Sequence, residues 1–199
     1  LKWAGILLLT LIVLLGALAA HTWYAKPLSI GWFYNRLFLQ VALDNPELLT
    51  QLRMLEPLGI RDHNAKLGDR SLAHDDLTQA KFRADLEMLK SYDTDGRYSN
   101  AEGQDGLSYR ILQHILQNIV DGERWRFHNY PVNQLFGAQS EIPNLLAQIQ
   151  QVNDATDAEH YIARIGEIPR AMDQVIDNVK LREARNILPP AFVVEKVIE

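Results

Sequence analysis

The sequence contains no cysteine among its 199 residues. The chain therefore has no disulfide framework, no thiolate zinc site and no lipid-modified cysteine. No segment shows a sustained alternation of apolar and polar residues, so no β-strand is predicted. The rest of the composition, with 47% apolar and 23% charged residues, is typical of a folded chain and excludes general disorder.

The signatures of several enzyme classes are also missing. None of the six histidines is followed by glutamate, so the helical His-Glu-x-x-His zinc motif does not occur. A Gly-x-Ser-x-Gly nucleophile elbow, a phosphate-binding loop and a dinucleotide glycine fingerprint are absent as well. From the residues alone we therefore assign no catalytic residue and no metal ligand to this segment.

Positive charge is scarce, since the sequence has 20 basic and 25 acidic residues. Residues 1–26 contain Lys2 and Lys26 but no acid, which leaves 18 basic and 25 acidic side chains, a net charge of −7, in residues 27–199. This acidic balance argues against a nucleic-acid partner.

Charge is wholly absent from Trp3 to Ala25, if His21 is neutral. As a helix these residues would rise about 34 Å, enough to cross a hydrocarbon core of about 30 Å. We therefore predict a lipid bilayer as partner of residues 3–25 and treat residues 1–26 as a membrane anchor. A cleaved signal peptide is the alternative, because Ala17-Leu18-Ala19 resembles a cleavage site. We expect the acidic bulk to face away from the cytoplasm.

Helical spacing of apolar residues dominates residues 27–199, so we predict an all-α fold, an irregular assembly of several helices after the anchor. The segment Ile30–Leu43 is either a membrane-surface helix or a helix packed on the core. Asn45-Pro46-Glu47 is a helix start, and Asp154 or Thr156 another. The predicted helices cover residues 30–43, 46–56, 75–92, 107–120, 145–152, 154–166, 168–186 and 190–199.

Aromatic and amide side chains are concentrated between Arg124 and Pro143. Ordered loops of this composition often line clefts, and we take five residues as substrate-cleft candidates. They are His128, Tyr130, Asn133, Gln134 and Gly137. The structural alternative is that Asn133 and Gln134 satisfy backbone groups in a turn.

From Gly106 onward the sequence resembles the bacterial family called "domain of unknown function 885". The matching segments, in order, are Leu107-Ser108-Tyr109, the run from Phe127 to Gln134 with Gly137, Pro143–Leu146, Asp157–Arg164, Ile168-Pro169 with Asp173–Ile176, and Pro189-Pro190 with Val193–Val197. One departure is Asn186, where the family places glycine before the Pro-Pro pair. Asparagine tolerates the left-handed conformation that a helix C-terminus needs, so we expect the local shape to be kept.

The resemblance implies an exported or membrane-anchored, largely helical zinc metallopeptidase of the carboxypeptidase or dipeptidase type. It also implies a bacterial inner membrane as the location, with the soluble part on the periplasmic side. Its zinc motif would lie beyond residue 199, so we expect zinc in the complete protein but none on this segment. Because the sequence begins at Leu1 and stops at Glu199 inside a helical pattern, we interpret residues 27–199 as the N-terminal helical part of a larger domain. The remaining C-terminal half and a peptide substrate are then the expected partners.

Two classes of function remain open from the sequence. The first is the anchored zinc peptidase, for which this segment supplies one wall of the substrate cleft. The second is a membrane-tethered helical interaction module without catalysis. A large exposed apolar patch on residues 107–199 would favour the peptidase fragment, because a complete module should bury its apolar stripes.

Overall fold

The structure, a computed structural model, describes residues 2–198, without the side chains of Lys2, Ala4 and Val197. Within that range it is helical and has no strand, apart from one isolated antiparallel bridge between Val132 and Gly137. The predicted all-α class is therefore confirmed. The α-helices are α1 (Lys2–Tyr24), α2 (Ile30–Leu43), α3 (Pro46–Leu52), α4 (Leu72–Lys90), α5 (Gly103–Gly122), α6 (Ala138–Asn144), α7 (Ala155–Gly166), α8 (Ile168–Ala184) and α9 (Ala191–Ile198). Short 3-10 helices cover Glu56–Leu58, Asp62–Ala65, Thr94–Gly96 and Glu123–His128, and a π-helical turn covers Leu145–Ile149.

Helix α1 is long and apolar enough to cross a membrane. Its window Gly5–Tyr24 has a mean hydropathy of 2.2, and none of it is buried. A buried helix of a soluble core does not fit that exposure, whereas an anchor and a signal sequence both do. Whether the segment is cleaved, and on which side of the membrane the rest lies, stays a prediction.

The chain separates into two compact units. The first comprises residues 1–41 and 82–117, and the second residues 42–81 and 118–199. Residues 27–41 belong to the same unit as α1.

Aromatic and aliphatic side chains from α2, α4 and α5 form the interior of the first unit. Phe33, Leu89, Tyr109 and Leu116 are all almost fully buried. The Phe33 ring lies 5.8 Å from the ring of Tyr92.

The core of the second unit brings α6 and α8 together with the chain before α4. Its buried members are Leu67, Ala138, Ile142, Leu145, Ala171 and Val175. Beside this core lies a polar centre at Arg164, whose side chain is fully buried. Its guanidinium donates to Lys66 O, Gln150 Oε1, Thr50 Oγ1 and His63 O over 2.6–2.8 Å. A helix, a 3-10 turn and two loops are thereby tied to one side chain.

Local capping signals gave several helix ends correctly. Asn45 caps α3 by accepting from Leu48 N at 2.8 Å, and Asp154 caps α7 by accepting from Asp157 N at 2.8 Å. Asn186 adopts the left-handed conformation with φ 57°, and Ile187 N donates to Arg182 O at 2.9 Å. The expected shape at this departure from the family pattern is confirmed.

Other predicted boundaries were wrong. Helix α3 ends at Leu52 rather than Glu56, because Arg53 turns left-handed (φ 52°) and its N–H bonds Leu49 O. Helix α4 begins at Leu72 rather than Asp75, because Ser71 Oγ accepts from His74 N. Helix α5 begins at Gly103 rather than Leu107.

The predicted helix over 145–152 was also misplaced. Helix α6 precedes it and contains Pro143, which lacks the N–H that would continue the ladder. The following turn is π-helical, with Gln150 N donating to Leu145 O at 2.8 Å. The chain is therefore already helical from Ala138 onward, before Pro143.

Several apolar residues of the helices are exposed. These are Leu77 on α4, Leu107, Ile111 and Ile115 on α5, and Ile176 and Val179 on α8. Tyr109, Leu116 and Val175 occupy the buried faces of α5 and α8. Exposed apolar side chains are therefore frequent on α5 and α8.

Candidate functional site

Asn133 organises a tight turn at the end of the segment that follows α5. Its Oδ1 accepts from Leu135 N at 2.9 Å and from Phe136 N at 2.8 Å. Its backbone N–H donates to Phe136 O, and its carbonyl accepts from Gln139 Nε2 at 2.7 Å. The amide of Asn133 is therefore occupied with backbone groups, as in the structural alternative considered for it.

Gly137 and Tyr130 hold the two sides of this turn. Gly137 has φ 132°, and a Cβ at this position would lie 2.6 Å from Pro131 O, so only glycine fits without strain. The hydroxyl of Tyr130 donates to Leu188 O at 3.1 Å. Together these contacts fix the loop that carries the predicted candidates.

The remaining two candidates lie elsewhere. Gln134 is exposed at the turn and does not line the cleft described below. The imidazole of His128 packs edge-on against Trp125, with ring centroids 5.4 Å apart, and also lies outside the cleft. The structure therefore brings Tyr130, Asn133 and Gly137 to one site but neither Gln134 nor His128.

That site is an open cleft of about 810 Å³ within the second unit. Its walls are α4, the end of α5, the 3-10 turn after it, the Asn133 loop and α8. Amide side chains are frequent in the lining: Gln79, Asn118, Asn129, Asn133 and Asn178.

The cations in the cleft are held by local acceptors. Arg126 is paired with Asp75 and Asp76. Arg70 bonds Glu47 Oε1 at 3.1 Å. Arg182 donates to Phe127 O and Asn178 O at 3.0 Å, and burial lowers the pKa of its guanidinium. The cleft is therefore not a free anion site, and recognition in it falls to neutral polar groups.

Two neighbouring side chains of α4 supply such groups. Thr78 and Gln79 line the cleft, and the hydroxyl oxygen of Thr78 and the amide oxygen Oε1 of Gln79 are buried in its wall without a hydrogen-bond partner. A buried polar atom without a partner costs about 1–3 kcal/mol, so two adjacent ones are an unusual feature of a wall. No sequence signal points to these two residues, because Thr-Gln in an amphipathic helix is most simply a solvated pair.

Zinc ligands were not assigned to this segment from the sequence. Across residues 2–198, no group of three or more His, Cys, Asp or Glu side chains is placed to hold a metal ion. The described residues thus do not fit a zinc centre, which needs three or four such ligands.

Fold and site together define an all-helical protein with an N-terminal apolar helix and an open, amide-lined cleft. The chain belongs to the family described as "Bacterial protein of unknown function (DUF885)", whose model matches residues 53–199. The match extends to residue 53, well before the motifs at Gly106 and beyond that carried the resemblance. Searches of the curated proteins and of the solved structures found no significant match.

Proposed function

We propose that this chain is the membrane-anchored helical portion of an exported, metallopeptidase-like hydrolase, and that the cleft beside Asn133 binds its peptide substrate. The observation that carries the substrate assignment is the open, amide-lined cleft, whose wall includes the polar side chains of Thr78 and Gln79. A peptide backbone offers a donor and an acceptor in every residue, which matches a hydroxyl beside an amide oxygen.

Membrane attachment through α1 and a periplasmic location belong to the same proposal. They are supported by an apolar helix of membrane-spanning length with no buried part, followed by a chain of net negative charge. Protease added to right-side-out spheroplasts tests the side of the membrane. Residues 27–199 should be digested, because they are exposed on the periplasmic side. Protection of these residues would place them in the cytoplasm and contradict the proposal.

In this proposal zinc would activate a water molecule for attack on a peptide carbonyl, with ligands from residues outside those described. The contribution of this chain is to bind and orient the peptide. Carboxypeptidase and dipeptidase action are the two reaction types that the family resemblance implies.

The cleft assignment is tested with the double variant Thr78→Val, Gln79→Leu in the complete protein, purified from membranes. Each neutral hydrogen bond lost to the substrate is worth about 0.5–1.5 kcal/mol, so KM for a short peptide should rise roughly tenfold. Thermal stability should not fall, because the variant removes two unsatisfied buried atoms.

Thr156→Val is the matched control, since it removes a hydroxyl from an exposed position on α7 outside the cleft. Gln134→Ala is a second control, because Gln134 lies outside the cleft, and it should leave KM unchanged. An unchanged KM in the double variant, with the protein fully folded, would refute the cleft assignment. Chelator-insensitive or absent hydrolysis would refute the peptidase.

A non-catalytic, membrane-tethered interaction module is the second candidate function. It is favoured by the tip of the Asn133 turn, where Leu135 and Phe136 are 70% and 66% exposed. Two exposed apolar side chains at a rigid turn suit an anchor for a protein partner. Peptide binding to the cleft without any hydrolysis by the complete protein would support this module over the hydrolase.

A further inference from the structure

Helix α2 has its charged side chain buried and several apolar side chains exposed, which is the reverse of an ordinary surface helix. Its one charged residue, Arg36, is buried, and donates to Ala25 O at 2.7 Å and to Asp85 Oδ1 at 3.4 Å. The exposed positions of α2 within the first unit have no charge. They are Gly31, Trp32, Asn35, Phe38, Leu39 and Val41.

Helix α4 of the same unit shows what a water-facing surface looks like in this chain. Its exposed positions in this unit include Arg83 and Glu87. A surface helix normally places charged residues opposite its apolar face. The exposed side of α2 therefore has the composition of a surface that does not meet water.

The position of α2 beside α1 indicates what that side meets. A shallow apolar groove of about 340 Å³ runs between the two helices. Its α1 wall consists of Leu15, Leu18, Ala19, Thr22 and Trp23, and its α2 wall of Trp32, Asn35, Arg36 and Leu39. Leu15 precedes the last residue of α1 by nine positions, about 14 Å along the helix axis.

Residues at that depth of a membrane-spanning helix lie within the hydrocarbon layer. The side chains of α2 that line the same groove then lie between the levels of Leu15 and Trp23. From this juxtaposition we infer that the Trp32–Leu39 face of α2 is a second lipid-contacting surface, and that the groove between α1 and α2 takes a lipid acyl chain. The sequence left two alternatives open for residues 30–43, a membrane-surface helix and a helix packed on the core. In this inference each alternative describes one side of α2.

This inference rests on the proposed membrane attachment through α1 and extends it. Helix α2 is embedded on one side and held to the protein on the other by Phe33, Arg36 and Leu37. Residues 27–41 would keep the protein at the membrane surface even if α1 were removed as a signal sequence.

The absence of cysteine makes the test direct, because every introduced cysteine is the sole labelling site. Single variants Trp32→Cys and Leu39→Cys of the full chain are spin-labelled and placed in vesicles of phosphatidylcholine and phosphatidylglycerol. Leu11→Cys in the middle of α1 is the lipid reference, and Ala84→Cys on the exposed side of α4 is the aqueous reference. Collision with apolar oxygen and with a water-soluble nickel chelate is measured at each site.

We expect the oxygen-to-nickel collision ratio at positions 32 and 39 to exceed the ratio at 84 several-fold and to approach the ratio at 11. Ratios like that at 84, with position 11 in lipid, would overturn the inference and leave the anchor standing. Exclusion of both reagents would also overturn it, in favour of a second copy packed on α2. Nickel access at position 11 itself would refute membrane attachment, and the inference with it. Circular dichroism of each labelled variant confirms that it is folded.

Discussion

Each unit has an arginine in its interior, and the two arginines meet different kinds of acceptor. Arg36 in the first unit pairs with the carboxylate of Asp85, with side chains 5% and 11% exposed. Arg164 in the second unit meets two backbone carbonyls, an amide oxygen and a hydroxyl, and no carboxylate. Burial lowers the pKa of Arg164 to about 10, and the negative charge of Glu47 offsets only part of that shift.

The difference concerns what each arginine leaves behind when it is removed. The partner of Arg36 is the side chain of Asp85, which can itself be substituted. Both members of the ion pair can therefore be replaced together by apolar residues. Backbone carbonyls remain in every variant and become unsatisfied when their donor is lost. Arg164 is therefore the more firmly required residue, although its charge is the less well compensated.

The largest effect is expected for Arg164→Met. Four acceptors from four segments would lose their donor inside the second unit, at a cost of about 3–5 kcal/mol in free energy of unfolding. Urea unfolding followed by circular dichroism in detergent measures the loss. Arg124→Met is the matched control, because Arg124 is exposed and should change stability by less than about 0.5 kcal/mol. Equal effects of the two substitutions would contradict the central role of Arg164.

A smaller loss of stability is expected at Arg36, and a second substitution should rescue part of it. Arg36→Met alone leaves the carboxylate of Asp85 without its arginine, and should cost about 2–4 kcal/mol. The double variant Arg36→Met, Asp85→Leu should recover at least half of that loss, because no buried charge is left. A double-mutant cycle on urea unfolding measures the recovery. Additive losses would show that Asp85 is held by its other contacts rather than by the ion pair.

The smallest effect is a pH dependence next to Arg164. His63 is buried, neither of its ring nitrogens has a hydrogen-bond partner, and its backbone carbonyl accepts from Arg164. Burial, and then the positive charge of Arg164, lower the pKa of the ring below 6.5; His160 also lowers it, while Glu56 and Asp62 act in the opposite direction.

The direction of the pH effect follows from proton uptake. As pH falls through the unfolded-state pKa, the unfolded chain binds a proton that the folded ring does not, so stability decreases. The stabilising contribution is complete above that pKa and is lost as pH falls toward the folded-state value. His63→Leu should flatten the stability profile between about pH 7 and pH 5, as measured by thermal unfolding. The exposed His128→Leu is the control, and an equally steep profile for His63→Leu would contradict the assignment.

The sequence predicted those features that depend on near neighbours in the chain. The caps at Asn45 and Asp154 and the left-handed Asn186 follow from side-chain chemistry within three residues. The bounds of Ile30–Leu43 follow from apolar spacing, and the length of the apolar run identifies α1. In the candidate site, Tyr130, Asn133 and Gly137 were found because amides and glycine mark an ordered turn.

The buried faces of the helices were harder to predict, because polar residues occupy several of them. Arg164 lies inside although apolar Ile162 and Ile165 lie outside, since its partner Thr50 is 114 positions away in the chain. Thr78 and Gln79 became part of a cleft only when α5 and α8 were placed beside α4. No local pattern reports such contacts.

By itself the sequence determined the helical class, the membrane-length apolar segment, most helix starts and the family, because each depends on local hydrogen bonding or on composition. The tertiary structure alone decided that Arg36 and Arg164 lie inside, that the uncharged side of α2 lies outside beside α1, and that a cleft with two unsatisfied atoms forms on α4. These features depend on hydrogen bonds and packing between segments that are distant in the sequence. Such contacts contribute to stability only in the folded chain, so no local pattern predicts them.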